Sequence, residues 1–312
     1  MNNTLSLVVP CFNEEEAIPL FIEAVVPVMD CIRTAHNLDY ELIFVDDGSN
    51  DHTLFQIKEA RKYNPKIHFV SLSRNFGKEA AIYAGLKKSA GDYICTLDVD
   101  LQDPPALIPD MLSAITTGEY DCAATRRVSR KGEPVIRSFF ARQFYKIMHK
   151  LSDVEIVDGA RDFRVMNRKA ADAVLALGEF NRFSKGIFPW VGFKTKWFEY
   201  KNIKRSAGET KWSFFKLLGY AIDGIVAFSI RPLILASLAG FLFFCVSIIF
   251  IVIIIVRKLL YGDPVAGWPS LVCIILFSGG IQLLTTGILG QYLAKTYLEV
   301  KKRPIFIAGE ES

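Results

Sequence analysis

Short apolar, β-branched runs alternate with amphipathic segments along the first hundred residues. Residues 5–9, 41–45, 67–72 and 93–97 read as strands, and 14–35, 51–63 and 78–89 carry the helical period. Near-continuous apolar strands separated by helices predict an α/β fold, with a parallel sheet covered on both faces. Ligands of such sheets bind at the carboxyl ends of the strands. Every predicted strand here ends in a polar cluster: Asn13-Glu14, Asp46-Asp47, Arg74-Asn75, then Asp98 with Asp100. Beyond Pro104-Pro105 the alternation becomes irregular. Segments 137–151 and 213–229 each carry an apolar stripe on one helical face, which suits a helix lying in a membrane interface. The chain closes on two uncharged apolar stretches, 232–256 and 264–294, each longer than the ~20 residues a helix needs to cross a bilayer. They predict a C-terminal two-helix transmembrane hairpin.

Composition changes this picture only locally. The chain has 312 residues and is 51% hydrophobic, a fraction raised by its last third. A net charge of +4 is too mild to imply a nucleic-acid partner. The basic residues between Arg126 and Arg231 precede the membrane stretches, where anionic lipid or a phosphorylated substrate would sit. The six cysteines lack metal-ligand spacing and fit free thiols in a reducing compartment. The N-terminus lacks the basic and apolar regions of a signal peptide, so the soluble part is expected on the cytoplasmic side. Lys301-Lys302-Arg303 agrees with that orientation, although Arg257-Lys258 would fall in the outer loop. Gly279-Gly280, Gly287 and Gly290 permit close approach of another helix and favour a homo-oligomer. The expected layout is a catalytic domain over 1–212, a juxtamembrane helix over 213–230, two membrane helices over 231–297 and a cytoplasmic tail over 298–312.

The chemistry concentrates at the strand ends. Asp98-x-Asp100-x-Gln102 opens from a buried strand into a loop, and carboxylates there can hold Mg²⁺ or Mn²⁺ against the diphosphate of a nucleotide sugar. Asp47 is placed to accept from a ribose hydroxyl or a base, and Asp46 either shares that role or holds the loop together. No phosphate-binding G-x-x-x-x-G-K-[ST] and no G-x-G-x-x-G follows a strand, which excludes the P-loop and dinucleotide readings. Arg126, Arg127, Arg164, Arg182, Arg205 and Lys211 are candidates for gripping an acceptor phosphate.

The runs Val9-Pro10-Cys11-Phe12-Asn13-Glu14-Glu15, Val45-Asp46-Asp47-Gly48-Ser49, Arg74-Asn75-Phe76-Gly77-Lys78 and Asp98-Val99-Asp100-Leu101-Gln102-Asp103-Pro104-Pro105 resemble glycosyltransferase family 2. The likeness continues through Asp162-Phe163-Arg164, Arg182-Phe183, Trp190-Val191-Gly192-Phe193 and Arg205-Ser206-Ala207-Gly208-Glu209-Thr210-Lys211-Trp212. Within the family the chain is similar to the polyprenyl-phosphate glycosyltransferases, including bactoprenol glucosyltransferases and dolichol-phosphate mannose synthase. The resemblance implies a GT-A fold and an inverting transfer from a nucleotide sugar, with UDP-glucose leading and UDP-N-acetylglucosamine and UDP-galactose open, to a polyprenyl phosphate. It implies a multi-pass protein of the cell inner membrane, a homo-oligomer with a tetramer as one form. By the same resemblance Pro10, Asn13, Glu14, Asp46, Asp47, Lys78 and Asp98 line the nucleotide sugar, and Asp100 and Gln102 ligate the metal. Arg126, Arg164, Arg182, Arg205 and Lys211 meet the acceptor phosphate. Asp98, Asp158 and Asp162 are the catalytic candidates, and which of Asp158 and Asp162 faces the sugar stays open.

Overall fold

The computed structural model describes residues 3–128, 157–200, 224–261 and 267–312. The predicted interfacial helix at 137–151, and most of the one at 213–229, lie outside them. In chain order the elements are β1 (Thr4–Cys11), α1 (Ala17–His36), β2 (Asp39–Asp46), α2 (Thr53–Tyr63), β3 (Ile67–Leu72), α3 (Lys78–Lys88), β4 (Tyr93–Thr96) and α4 (Ile108–Thr116). Then follow β5 (Cys122–Arg127), β6 (Ala160–Asn167), α5 (Arg168–Ala176), α6 (Ser184–Trp190), β7 (Thr195–Tyr200), α7 (Arg231–Tyr261), α8 (Trp268–Val300) and β8 (Ala308–Glu311).

The strands form one sheet in the order β7-β5-β6-β4-β1-β2-β3-β8. Its centre is parallel, as the alternation predicts: β1 pairs with β2 and β4, and β2 with β3. Strand β6 runs antiparallel between β4 and β5, and β7 pairs parallel with β5. Because β1 is flanked by β2 and β4, the order reverses between β1 and β4. Such a switch point leaves a crevice at the carboxyl ends of the strands.

The period of two along β1 separates the faces. Leu5, Leu7 and Val9 pack with Phe21, Val25 and Met29 of α1, whereas Val8 turns to Ile82 and Leu86 of α3. Phe21 and Phe44 meet edge to face at 5.9 Å, both fully buried, each burial stabilising the fold by ~1.5–3 kcal/mol. On the other face α3 comes so close that a Cβ on Gly85 would lie 2.2 Å from Val8 Cγ1. Glycine there sets how tightly α3, whose first residue is Lys78, sits on the sheet.

The last residues do not form a separate tail. Helix α8 continues to Val300, and β8 adds antiparallel to β3 as the eighth strand. Ser73 donates its backbone N–H to the Ile307 carbonyl at 2.9 Å, and Ser312 and Phe69 bond through both backbone and hydroxyl. Lys58 and Lys88 pair with Glu310 and Glu311 at 2.6 and 3.1 Å. Among the described residues one helix is long and apolar enough to cross a membrane, Arg231–Arg257, with mean hydropathy 3.2 and none of that stretch buried within the chain. Helix α8, of 33 residues, runs beside it, with the Phe243 and Phe277 rings 5.2 Å apart. Cys11, Cys31, Cys95, Cys122 and Cys245 are free thiols, and burial pushes the Cys122 thiol up and those of Cys11 and Cys95 well above the usual range.

Candidate active site

The strand-end clusters converge on the β1/β4 crevice, and much of their hydrogen bonding fastens one loop to the next. After β1 the chain turns through Asn13 in the left-handed region (φ 53°), beyond a half-buried Pro10. Asn13 donates its N–H to Ser49 Oγ and accepts from the Asn50 N–H through Oδ1, both at 2.9 Å. The Glu14 N–H donates to Thr53 Oγ1 at 2.8 Å. Asp46 accepts from the Ser49 N–H at 3.0 Å and from the Ser71 hydroxyl at 2.9 Å. Asp47, buried, accepts the Phe76 N–H on one oxygen at 2.7 Å and the Gly77 N–H on the other at 2.9 Å. Burial pushes its carboxyl up, and those two N–H donors pull against it. Asp47 therefore latches the loop that delivers Lys78. Gly48 beside it has φ +67°, and a Cβ there would lie 2.4 Å from the Arg74 carbonyl carbon.

Lys78 opens α3 and reaches across the sheet ends. Its ammonium lies 2.7 Å from Asp98 Oδ1 after β4 and 2.6 Å from Asp162 Oδ2 on β6. Burial alone would raise the Asp162 carboxyl, but the Lys78 ammonium, with Lys185 and Arg161, holds it well below the usual carboxylate range. Lys78 answers in the other direction: burial lowers it, and Asp162 and Asp98 together lift it above the usual lysine range. The structure thus brings Asp162 into the same cluster as Asp98, while Asp158 is exposed on the turn before β6.

The loop after Asp98 is shaped by Leu101, also left-handed at φ 53°. That turn lets the Gln102 N–H donate to Asp100 Oδ1 at 3.1 Å, with Asp100 only 6% exposed. Arg127 donates to Gln102 Oε1 at 2.9 Å and orients the amide. Asp103, fully buried, receives Arg161 through two nitrogens at 3.0 and 3.2 Å and also the Tyr200 hydroxyl. Arg161 lies 3.6 Å from Asp98 as well, tying the loop to β6. Arg161, Asp103 and Tyr200 were not among the expected site residues. Asp103 stood inside the Asp98–Pro105 run and Arg161 beside Asp162, but only tertiary pairing joins them to Tyr200.

The cation candidates disperse. Arg126 pairs with Glu199 at the end of β7. Arg164 shares the face of Asp162 but sits two residues deeper. It is 3% exposed, with its guanidinium stacked 3.4 Å from the centroid of the Phe188 ring. Burial lowers it below the usual arginine range. Arg182 lies over Tyr83 at 4.4 Å and donates to the Val174 and Leu177 carbonyls. Arg205 and Lys211 lie outside the described residues.

Among the described residues no group of three or more acid, histidine or cysteine side chains could hold a metal by itself. The Asp100 carboxylate and the Gln102 amide oxygen, two residues apart on the loop turned by Leu101, are hard oxygen donors of the kind that suits a divalent cation. Mg²⁺ commonly takes one or two protein oxygens and completes its shell from phosphates and water.

Residues 6–175 match the family described as glycosyl transferase family 2. The chain is also 39% identical to the prophage bactoprenol glucosyl transferase homolog of Escherichia coli (strain K12), over 97% of each chain. The chain belongs to glycosyl transferase family 2. At 39% identity it is likewise similar to the bactoprenol glucosyl transferase of Shigella phage SfII, over 97% of this chain and 96% of that one. A crystal structure of glucosyl-3-phosphoglycerate synthase from Mycobacterium tuberculosis with Mn²⁺, UDP-glucose and phosphoglyceric acid covers 72% of this chain and 78% of its own, at 19% identity and TM-score 0.48. The sheet and its flanking helices are the GT-A-like α/β arrangement expected of this family of glycosyltransferases.

Proposed function

We propose that this family 2 glycosyltransferase moves a hexose, glucose from UDP-glucose first among the candidates, onto a polyprenyl phosphate at the cytoplasmic face of the membrane. The observation that carries this reading is the similarity to bactoprenol glucosyl transferases along 97% of the chain, catalytic sheet and apolar helices alike. The nucleotide sugar lies in the β1/β4 crevice, with the loops of Asn13, Asp47 and Lys78 around it. Asp100 and Gln102 hold Mg²⁺ or Mn²⁺, which when bound neutralises the charge that gathers on the departing diphosphate. Asp98 and Asp162, held by Lys78, set the position of the sugar. A phosphate acceptor is already anionic near neutral pH, so the site needs alignment more than a strong general base.

The C-terminal strand supports a two-pass arrangement. Strand β8 follows α7 and α8 and lies in the same sheet as β1 to β7. A single crossing would leave β8 on the far side of the membrane from β3. If α7 crosses, α8 returns, and both termini share the catalytic side. A homo-oligomer formed through the glycine-bearing α8 is part of the same proposal. The test offers undecaprenyl phosphate and a panel of UDP- and GDP-sugars to the purified chain and weighs the lipid product by mass spectrometry. A product one hexose heavier, formed from UDP-glucose, is expected. The absence of any glycolipid product across the panel would overturn the reading.

A further inference from the structure

Two sets of contacts meet on the segment 180–184, which lies between α8 and α3. From the α8 side, Glu299 Oε1 accepts the backbone N–H of Phe180 at 2.9 Å and of Asn181 at 3.3 Å. One turn earlier, Lys295 donates to Asn181 Oδ1 at 3.1 Å, and a further turn back the Tyr292 hydroxyl donates to the Ser229 carbonyl. These three positions share one stripe of the helix. From the α3 side, Glu79 accepts the Ser184 N–H on both oxygens, at 3.1 and 3.0 Å, and the Ser184 hydroxyl as well. Arg182 covers the Tyr83 ring one turn further along α3. Glu79 is the neighbour of Lys78, whose ammonium joins Asp98 to Asp162.

We infer that Glu299 is a positioning residue for the transfer reaction: the end of α8 fixes the 180–184 strap, and the strap fixes the first turn of α3 and so the Lys78 ammonium. The inference rests on the functional reading above for its kinetic consequence only. Glu299 lies on the chain that leaves the apolar helices, so the strap makes the register of α8 a determinant of where Lys78 stands. A carboxylate accepting two backbone N–H groups leaves both without that partner when it is removed, whereas an amide oxygen in the same place still accepts them.

The experiment uses the full chain in lipid nanodiscs with undecaprenyl phosphate and the donor sugar that the wild type turns over. Glu299→Ala is expected to lower kcat about tenfold, or about 1.4 kcal/mol of transition-state stabilisation, while the donor KM changes less than about twofold. Glu299→Gln is expected to restore most of the rate. Hydrogen–deuterium exchange supplies a readout independent of turnover: Glu299→Ala should speed exchange at Phe180, Asn181 and Ser184 and at the start of α3, leaving α1 and β2 unchanged. If Glu299→Ala does not fold, as unprotected α1 and β2 would report, Glu299→Asp takes its place, with the same direction expected. Wild-type kcat in the alanine variant, equal losses in the alanine and glutamine variants, or unchanged exchange at Ser184 and the start of α3 would each overturn the inference. A wild-type chain inert with every donor refutes the functional reading instead, and the exchange data still decide whether the strap exists.

Discussion

Replacing Lys78 with methionine removes the ammonium that bridges Asp98 and Asp162, at 2.7 and 2.6 Å. Each contact represents about 6 kcal/mol of gross attraction at an effective dielectric constant of ~20. The net figure is smaller. Breaking a fully buried pair costs about 3–5 kcal/mol and an exposed pair no more than ~1. The two carboxylates are 18% exposed but the lysine side chain is 41% exposed, so the clamp falls between these limits, near ~2 kcal/mol. At about 2–4 °C per kcal/mol for a domain of this size, Lys78→Met should lower the unfolding temperature by about 4–8 °C. The pH dependence has a definite sign. The Asp162 carboxyl is depressed in the folded state, so its contribution is complete above the unfolded value of ~3.9 and lost as pH falls through the folded one. Lys78 is raised, so its contribution is complete below ~10.4 and lost as pH climbs through its folded value. The gap between wild type and variant should therefore stay level from about pH 5 to 10 and close in stronger acid. Circular dichroism melts of the detergent-solubilised chain at a series of pH values measure it. Coincident melts at pH 7, or a gap that widens towards pH 3, would refute the clamp.

Two further outcomes follow from the same loops. Asp100→Ala should slow transfer at least ~10²-fold, and chelation should stop the wild type; an undiminished rate in EDTA would remove the metal from the scheme. Gly48→Ala forces a Cβ to 2.4 Å from the Arg74 carbonyl carbon at φ +67°, so it should destabilise the chain by ~1–3 kcal/mol and weaken nucleotide binding, read by thermal melts and calorimetry.

The central sheet was legible because β1 to β4 are buried and apolar, and burial of that kind leaves its period in the sequence. The strand ends were legible for the same reason: once the strands are placed, Asn13, Asp47 and Asp98 must share one side. Strand β8, Ala-Gly-Glu-Glu, gave no such signal, since a four-residue edge strand owes its conformation to β3 and not to its composition. Arg164 illustrates the opposite problem. Its motif resembles that of a phosphate ligand, but its burial against Phe188 comes from its register on β6, which the motif does not encode. The Arg161–Asp103–Tyr200 group joins three distant stretches of chain, and no local pattern specifies that meeting.

The pairing of β8 with β3 also fixes an order of events during synthesis. Strand β3 is complete by Leu72, yet the strand that covers its open edge begins at Ala308, after both long helices. A nascent chain must therefore carry an uncapped β-edge until residues 308–311 leave the ribosome. Such an edge is a template for pairing with other chains. Emergence of β8, rather than of β1 to β7, is then the step that closes the sheet.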